Sequence, residues 1–231
     1  MNNIKVLSAG AVKTGVAQLA QRYSREHDTG VKVEFTTAPG VRDRMAAGEE
    51  ADVVIAPPAF IDELERLGKI VPDTRRFLGR ARMGVVVHED APLRDIPDVE
   101  ALKRTLTSAS AVVHNKASSG AYAAKLLQKL GIAGELELRV IVVDSGSAVM
   151  EYVAAHGPGT VGLAQISEIR VLIAKGCRVR LAAPLPDAVQ NVTSYEAAVI
   201  AGGSQVAAAR DLAAYLASPA AKKVFAATGI D

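Results

Sequence analysis

The spacing of apolar residues over the first 70 positions leaves few folds open. Residues 4–8 form a short apolar run, and Val12, Val16, Leu19, Ala20 and Tyr23 then recur at helical spacing until His27-Asp28-Thr29-Gly30 closes the segment. Residues 31–35 alternate like a strand, and 41–47 read as a short helix ended by Gly48. Residues 52–56 are a further apolar run stopped by Pro57-Pro58, and 59–67 carry Ile61, Leu64 and Leu67 at three-residue spacing. Strand and helix alternate three times, which predicts a parallel sheet with helical crossovers.

A second α/β set follows. Strands are predicted over 82–88, 111–114, 138–143, 160–164 and 178–182, and helices over 99–106, 119–130 and 147–155. Tyr122, Leu126 and Leu130 share one face of the second of these helices. Pro184-Leu185-Pro186 breaks the pattern, after which 193–200 reads as a strand, 205–216 as a helix with Val206, Ala209, Leu212 and Leu216 in register, and Pro219 opens a last helix to residue 227. One strand and two helices are too small to be a third domain, so this terminal unit is expected to pack on the first lobe. The expected fold is α/β: two interleaved lobes with central mixed, mainly parallel sheets joined by a two-segment hinge. Residues 1–80 plus 190–231 form lobe 1 and 81–189 lobe 2, with crossings near 78–82 and 186–193. Ligands of such a fold are expected in the cleft between lobes.

Composition narrows the function. Lys and Arg number 27 against 25 Asp and Glu, with the two signs interleaved, and aromatic residues are only 4%. No basic footprint or stacking platform for nucleic acid is present. Cys177 is the single cysteine, so no internal disulfide forms. No run approaches the roughly 20 apolar residues that span a bilayer, so the chain is not expected to be membrane-embedded. Met1-Asn2-Asn3-Ile4-Lys5 leads at once into the first strand without an apolar signal region. His27, His88, His114 and His156 lack metal-ligand spacing, and neither a Gly-x-Ser-x-Gly elbow nor a phosphate-binding Gly-x-x-x-x-Gly-Lys loop occurs. Gly157-Pro158-Gly159-Thr160-Val161-Gly162 spells the dinucleotide glycine pattern but precedes a strand instead of joining strand to helix, which makes it a turn. No cofactor and no metal are expected.

The strand-to-helix turns are the informative points, because each presents backbone N–H groups at a helix start. Four are rich in small and hydroxyl residues: Ser8-Ala9-Gly10-Ala11, Thr36-Thr37-Ala38-Pro39-Gly40, Lys116-Ala117-Ser118-Ser119-Gly120 and Asp144-Ser145-Gly146-Ser147. Each taken alone is an ordinary N-cap. Two from each lobe, at the carboxyl ends of parallel strands, would enclose a small anion. Arg42 and Arg44 read as a solvated helix face, and Lys116 lies nearer the anion.

At these residues the chain resembles the type II periplasmic solute-binding proteins, in the molybdate-binding-protein-like branch. The resemblance runs through residues 4–11, Met45-Ala46-Ala47-Gly48-Glu49-Glu50-Ala51-Asp52-Val53-Val54, Ser119-Gly120-Ala121-Tyr122-Ala123 and Leu216-Ala217-Ser218-Pro219-Ala220-Ala221, so it covers nearly the whole chain. It implies a ligand buried by closure of two lobes, delivery to the membrane subunits of an ABC importer, a monomer, and a periplasmic location; a native start at Met1 would instead make the chain cytoplasmic. Relatives that hold a tetrahedral oxyanion use two serine hydroxyls, backbone N–H groups at later helix starts and a tyrosine hydroxyl. The resemblance places Ala11 at the first serine, Ala38 or Pro39 at the second, Ser119 and Gly146 at the backbone donors, and Gln165 at the tyrosine. Three hydroxyl donors are thereby missing, and a buried dianion needs its oxygens hydrogen-bonded. A small organic carboxylate is therefore favoured over molybdate, on a site of Ser8, Ala9, Gly10, Ala11, Thr37, Ala38, Ser118, Ser119, Gly120, Ser145, Gly146, Ser147 and Gln165.

The same resemblance extends to isomerases that move a double bond in unsaturated polycarboxylates such as aconitate, for which Asp144, His114 or Lys116 would be the base. It extends further to intracellular ligand-sensing domains. No helix-turn-helix module precedes residue 1, so the sensor reading would need a gene fusion or a partner protein.

Overall fold

The computed structural model describes residues 3–92, 95–203 and 205–231. Met1 and Asn2, which the sequence reading placed before the first strand, lie outside them. The chain divides into two compact units, Met1–Ala81 with Thr193–Asp231, and Arg82–Val192.

In the first unit, β1 (Ile4–Ala9), β2 (Val31–Thr36) and β3 (Val53–Ala56) run in the order β2-β1-β3, all parallel. Their crossovers are α1 (Lys13–His27) and α2 (Ala38–Ala46), and α3 (Pro58–Arg66) follows β3. The alternation of the first 70 residues thus becomes parallel strands with helical connections. The terminal residues return as β9 (Val192–Val199), antiparallel to β3 with Ala56 opposite Glu196, followed by α9 (Val206–Leu216) and α10 (Pro219–Ala227). The helical faces close one core: Val16, Leu19 and Tyr23 of α1, Val41 of α2, Ile61 of α3, Leu212 and Leu216 of α9 and Phe225 of α10 all pack with the strands. Apolar burial of this kind is the main force holding the unit together.

In the second unit, β4 (Arg76–His88) enters the sheet β8-β4-β7-β5-β6 with β5 (Ala111–Asn115), β6 (Val140–Val143), β7 (Thr160–Gln165) and β8 (Val179–Pro184). β5 is parallel to β6 and β7, whereas β4 runs antiparallel to β7 and β8. Side chains of β4 alternate between two cores, as a strand covered on both faces requires. Met83, Val85 and Val87 meet Leu102 and Leu106 of α4 (Val99–Thr107) and Leu126 and Leu127 of α5 (Ser118–Lys129). Val86 meets Val149, Met150 and Val153 of α7 (Gly146–His156) and Ile169 of α8 (Ile166–Ala174).

Some elements differ from the sequence expectation. β4 begins at Arg76, six residues before the predicted start, and continues across the boundary between the units at Ala81–Arg82. α2 begins at Ala38 instead of residue 41, because Thr37 caps it and Pro39 suits its first turn. α8 and the one-turn α6 (Ala133–Leu136) had no predicted counterpart. The glycine-rich stretch before β7 is a turn, with Gly157 at a φ of 77°.

Candidate functional site

Each unit gathers its strand-to-helix turns at the carboxyl edge of its parallel strands. In the first unit, Ser8 is fully buried in β1 and its hydroxyl donates to the Ala9 carbonyl at 3.1 Å. Gly10 and Ala11 form a short 3-10 turn, Gly10–Val12, ahead of α1, and neither Ala9 nor Val12 supplies a side-chain cap. The start of α1 thus relies on backbone alone. At α2, the Thr37 hydroxyl accepts from the Gly40 N–H at 3.1 Å, Val41 N–H bonds the Thr37 carbonyl at 2.9 Å, and Pro39 has no N–H. Ala38, the first residue of α2, contributes a backbone N–H and a methyl group. Accepting from Gly40 leaves Thr37 its own hydroxyl proton to donate. The remaining turn, at α3, has Pro57 and Pro58 at its first two positions and therefore no donor at either.

In the second unit, the start of α5 is organised by a residue that falls between the predicted strand 111–114 and the predicted turn from Lys116. Asn115, 2% exposed at the end of β5, accepts from the N–H groups of Ala117 at 2.8 Å and Gly120 at 3.2 Å, and its amide donates to the Ser119 hydroxyl at 3.1 Å. Bonding from an Asn to the residue two ahead is an Asx turn, so an Asn before a run of small residues was the available signal. Gly120 is required here: a Cβ would lie 1.6 Å from the Asn115 carbonyl oxygen. With the N–H groups of Ala117 and Gly120 taken by Asn115, and that of Ala121 by the Ala117 carbonyl, Ser118 and Ser119 carry the other first-turn donors of α5. Ser118 is exposed and Ser119 buried.

At α7, Ser145 is the N-cap: its hydroxyl accepts from the Ala148 N–H at 3.2 Å and lies 3.0 Å from the Ser147 hydroxyl. Gly146 is buried, and a Cβ on it would stand 2.1 Å from the Glu168 carboxylate. Gln165 ends β7 and precedes α8 without capping it, 5% exposed. Three polar atoms around this point, Gln165 Oε1, Ser167 Oγ and Glu168 Oε2, are buried without a hydrogen-bond partner. Burial pushes Glu168 up to about 7, with the Gln165 backbone N–H holding it down in part. Ser167 and Glu168 were absent from the sequence reading because α8 was.

The candidate bases are largely committed. Lys116 Nζ bonds Asp144 Oδ1 at 2.6 Å in an exposed pair, and this bond and charge hold Asp144 below its ordinary carboxylate range. His114 is buried with Nδ1 3.1 Å from the Asn115 carbonyl. Arg42 pairs with Glu63 at 2.8 Å and Arg44 with Glu34 and Glu49, so both sit in salt bridges on the helix face. Among the described residues, no three His, Cys, Asp or Glu side chains group as metal ligands, and no helix is long and apolar enough to cross a membrane.

Residues 4–231 match the family model of the bacterial extracellular solute-binding protein. The chain belongs to this family. Its fold is that of the periplasmic binding proteins in the molybdate-binding-like branch. It is similar to the periplasmic molybdate-binding protein of Azotobacter vinelandii, with a TM-score of 0.78 at 15% identity over 99% of this chain and 98% of that one. It is also similar to the sulfate-binding protein SubI of Mycobacterium tuberculosis, with a TM-score of 0.75 at 17% identity over 100% of this chain and 86% of that one. By sequence it is 30% identical to an aconitate isomerase from a Pseudomonas species, over 100% of this chain and 88% of that protein.

Proposed function

We propose that this solute-binding protein takes up a small organic polycarboxylate and presents it to the membrane subunits of an ABC importer. The observation that carries the reading is the division of labour among the helix starts. Thr37 and Ser145 cap α2 and α7, whereas α1 and α5 begin without a side-chain cap from the preceding residue. Backbone N–H groups at Gly10, Ala11, Ser118 and Ser119 are the donors that a carboxylate would meet. Among the first-unit positions, Ala11 and Ala38 bring only methyl groups and the Ser8 hydroxyl is spent on Ala9, so a tetrahedral oxyanion would find side-chain donors there only in the threonine hydroxyls beside Gly40, Thr36 and Thr37. That deficit favours an organic acid over molybdate or sulfate, and so does the relative named for aconitate chemistry. In this reading the protein acts as a monomer.

A thermal-shift screen tests it. Ligand at about 100 times its Kd adds roughly 2.7 kcal/mol to stability. The largest shift is expected from tricarboxylates such as cis- or trans-aconitate and tricarballylate; a larger response to molybdate, tungstate or sulfate refutes the reading.

A second reading, isomerisation of an unsaturated tricarboxylate, is favoured by the 30% identity to aconitate isomerase over the whole chain. It requires a base that removes a proton from carbon and an acid that returns one. Incubation of cis- or trans-aconitate with the protein in D₂O, followed by NMR, decides it: appearance of the other isomer or of deuterium on carbon supports it, and unchanged substrate eliminates it.

A further inference from the structure

Glu168, at the third position of α8, accepts from the backbone N–H of the N-cap Gln165, which leaves one of its oxygens unexplained by the fold. It stands in the first turn of α8 with Oε2 buried and unpartnered, beside Gln165 and Ser167, which are 5% and 4% exposed and carry unpartnered polar atoms of their own. A Cβ on Gly146 would lie 2.1 Å from Oε2 and 2.4 Å from Oε1. The carboxyl therefore packs against Gly146, the first residue of α7. An ionised carboxylate here would both leave an oxygen without a donor and repel a ligand carboxylate.

We propose that Glu168 meets the ligand as its neutral acid and donates its O–H to a ligand carboxylate oxygen, so that one proton enters the site with each anion bound. The proton comes from solvent and stays on Glu168, and no covalent bond changes. This rests on the reading of the site as a polycarboxylate site. Unpartnered oxygens on three residues of one turn are what such a site shows before a ligand supplies the missing partners.

The charged and titratable groups on neighbouring elements do not account for the state of Glu168. Asp144, before α7, is paired with Lys116; Glu151, Tyr152 and His156 lie farther along α7; Arg180 stands on β8, Arg82 and His88 on β4, and Arg170 on α8 itself. Burial raises Glu168 and the Gln165 N–H opposes it, with no contribution from any charged neighbour. The sign follows: raising the pH through about 7 removes the proton that the complex needs, so affinity falls.

Isothermal titration with trans-aconitate at pH 7, 8 and 9, where the ligand is fully ionised throughout, tests this. For a group titrating near 7, Kd rises about fiftyfold between pH 7 and 9. The Glu168→Gln variant keeps a donor without a titrating proton, so its Kd stays flat and lies below the wild-type value at pH 9. Independently of any variant, titrations of the wild type at pH 8 in two buffers of different ionisation heat should report close to one proton taken up per ligand. A wild-type Kd that is flat over this range, absence of proton uptake, or a slope that persists in Glu168→Gln overturns the proposal while leaving the ligand class standing. Absence of any tricarboxylate binding removes the ligand class itself and the proposal with it.

Discussion

Replacing Asn115 by Ala should loosen the start of α5 out of proportion to the size of the change. The side chain is 2% exposed; its three shortest bonds accept from Ala117 N–H at 2.8 Å and Gly120 N–H at 3.2 Å and donate to Ser119 Oγ at 3.1 Å, with Ser119 Oγ also 3.4 Å from Oδ1. Each such bond contributes about 0.5–1.5 kcal/mol net, and a buried donor left without a partner costs about 1–3 kcal/mol. Gly120 is buried and Ala117 half-buried, so the first N–H bears most of that penalty and the second finds water. The penalty at one N–H and the loss of the other two bonds sum to about 2–6 kcal/mol. For a chain of this size each kcal/mol shifts Tm by roughly 2–4 °C, and a fall of at least about 4 °C is expected in a thermal melt, with a matching drop in the urea midpoint. Asn115→Asp retains both acceptor bonds and should lose less than half as much. Ligand affinity should fall in Asn115→Ala as well, because Ser118 and Ser119 lose their fixed direction. A Tm within 2 °C of wild type, or an Asp variant as damaged as the Ala variant, would refute the assignment of Asn115 as the organiser of this turn.

Gly120→Ala places a methyl group 1.6 Å from the Asn115 carbonyl oxygen, a backbone atom that cannot swing aside. It should therefore destabilise at least as strongly as Asn115→Ala, measured by the same melts. In the first unit, Arg75 bonds Glu196 on β9, Asp62 at 2.6 Å and Glu65 at 3.3 Å, with Glu196 only 15% exposed in its side chain. Arg75→Met should cost about 1–2 kcal/mol, less than a fully buried pair because Arg75 is partly solvated, and adding Glu196→Gln should return most of it. A double variant no more stable than the single one would show that the lone carboxylate is not the cause.

The alternation of strand and helix was legible because apolar spacing is a local property, and β1 to β3 lie where the spacing of the first 70 residues puts them. The extension of β4 to Arg76 was not legible, since Arg76, Arg80 and Arg82 interrupt the apolar alternation and the strand is held by its partners. α8 escaped because its polar residues, Ser167, Glu168 and Arg170, crowd the first half of Ile166–Ala174, and it follows β7 without a glycine or proline to mark the change of period. The site divides in the same way. The four turns were visible as small-residue clusters, and the N-cap roles of Thr37 and Ser145 follow from their side-chain chemistry. Asn115 carried a local signal as an Asx residue that went unused. Glu168 carried none: its place beside Gly146 brings together residues 22 positions apart on two different helices, and only the packing of α7 with α8 creates it.

The central claim, a site built for an organic polycarboxylate on a scaffold shared with oxyanion-binding proteins, is tested most directly by competition calorimetry. Trans-aconitate is titrated into protein alone and into protein equilibrated with excess molybdate. The account predicts saturable, one-to-one binding that molybdate leaves unchanged. Molybdate binding of its own that abolishes the tricarboxylate signal, or the absence of any tricarboxylate binding beside tight molybdate binding, would contradict it.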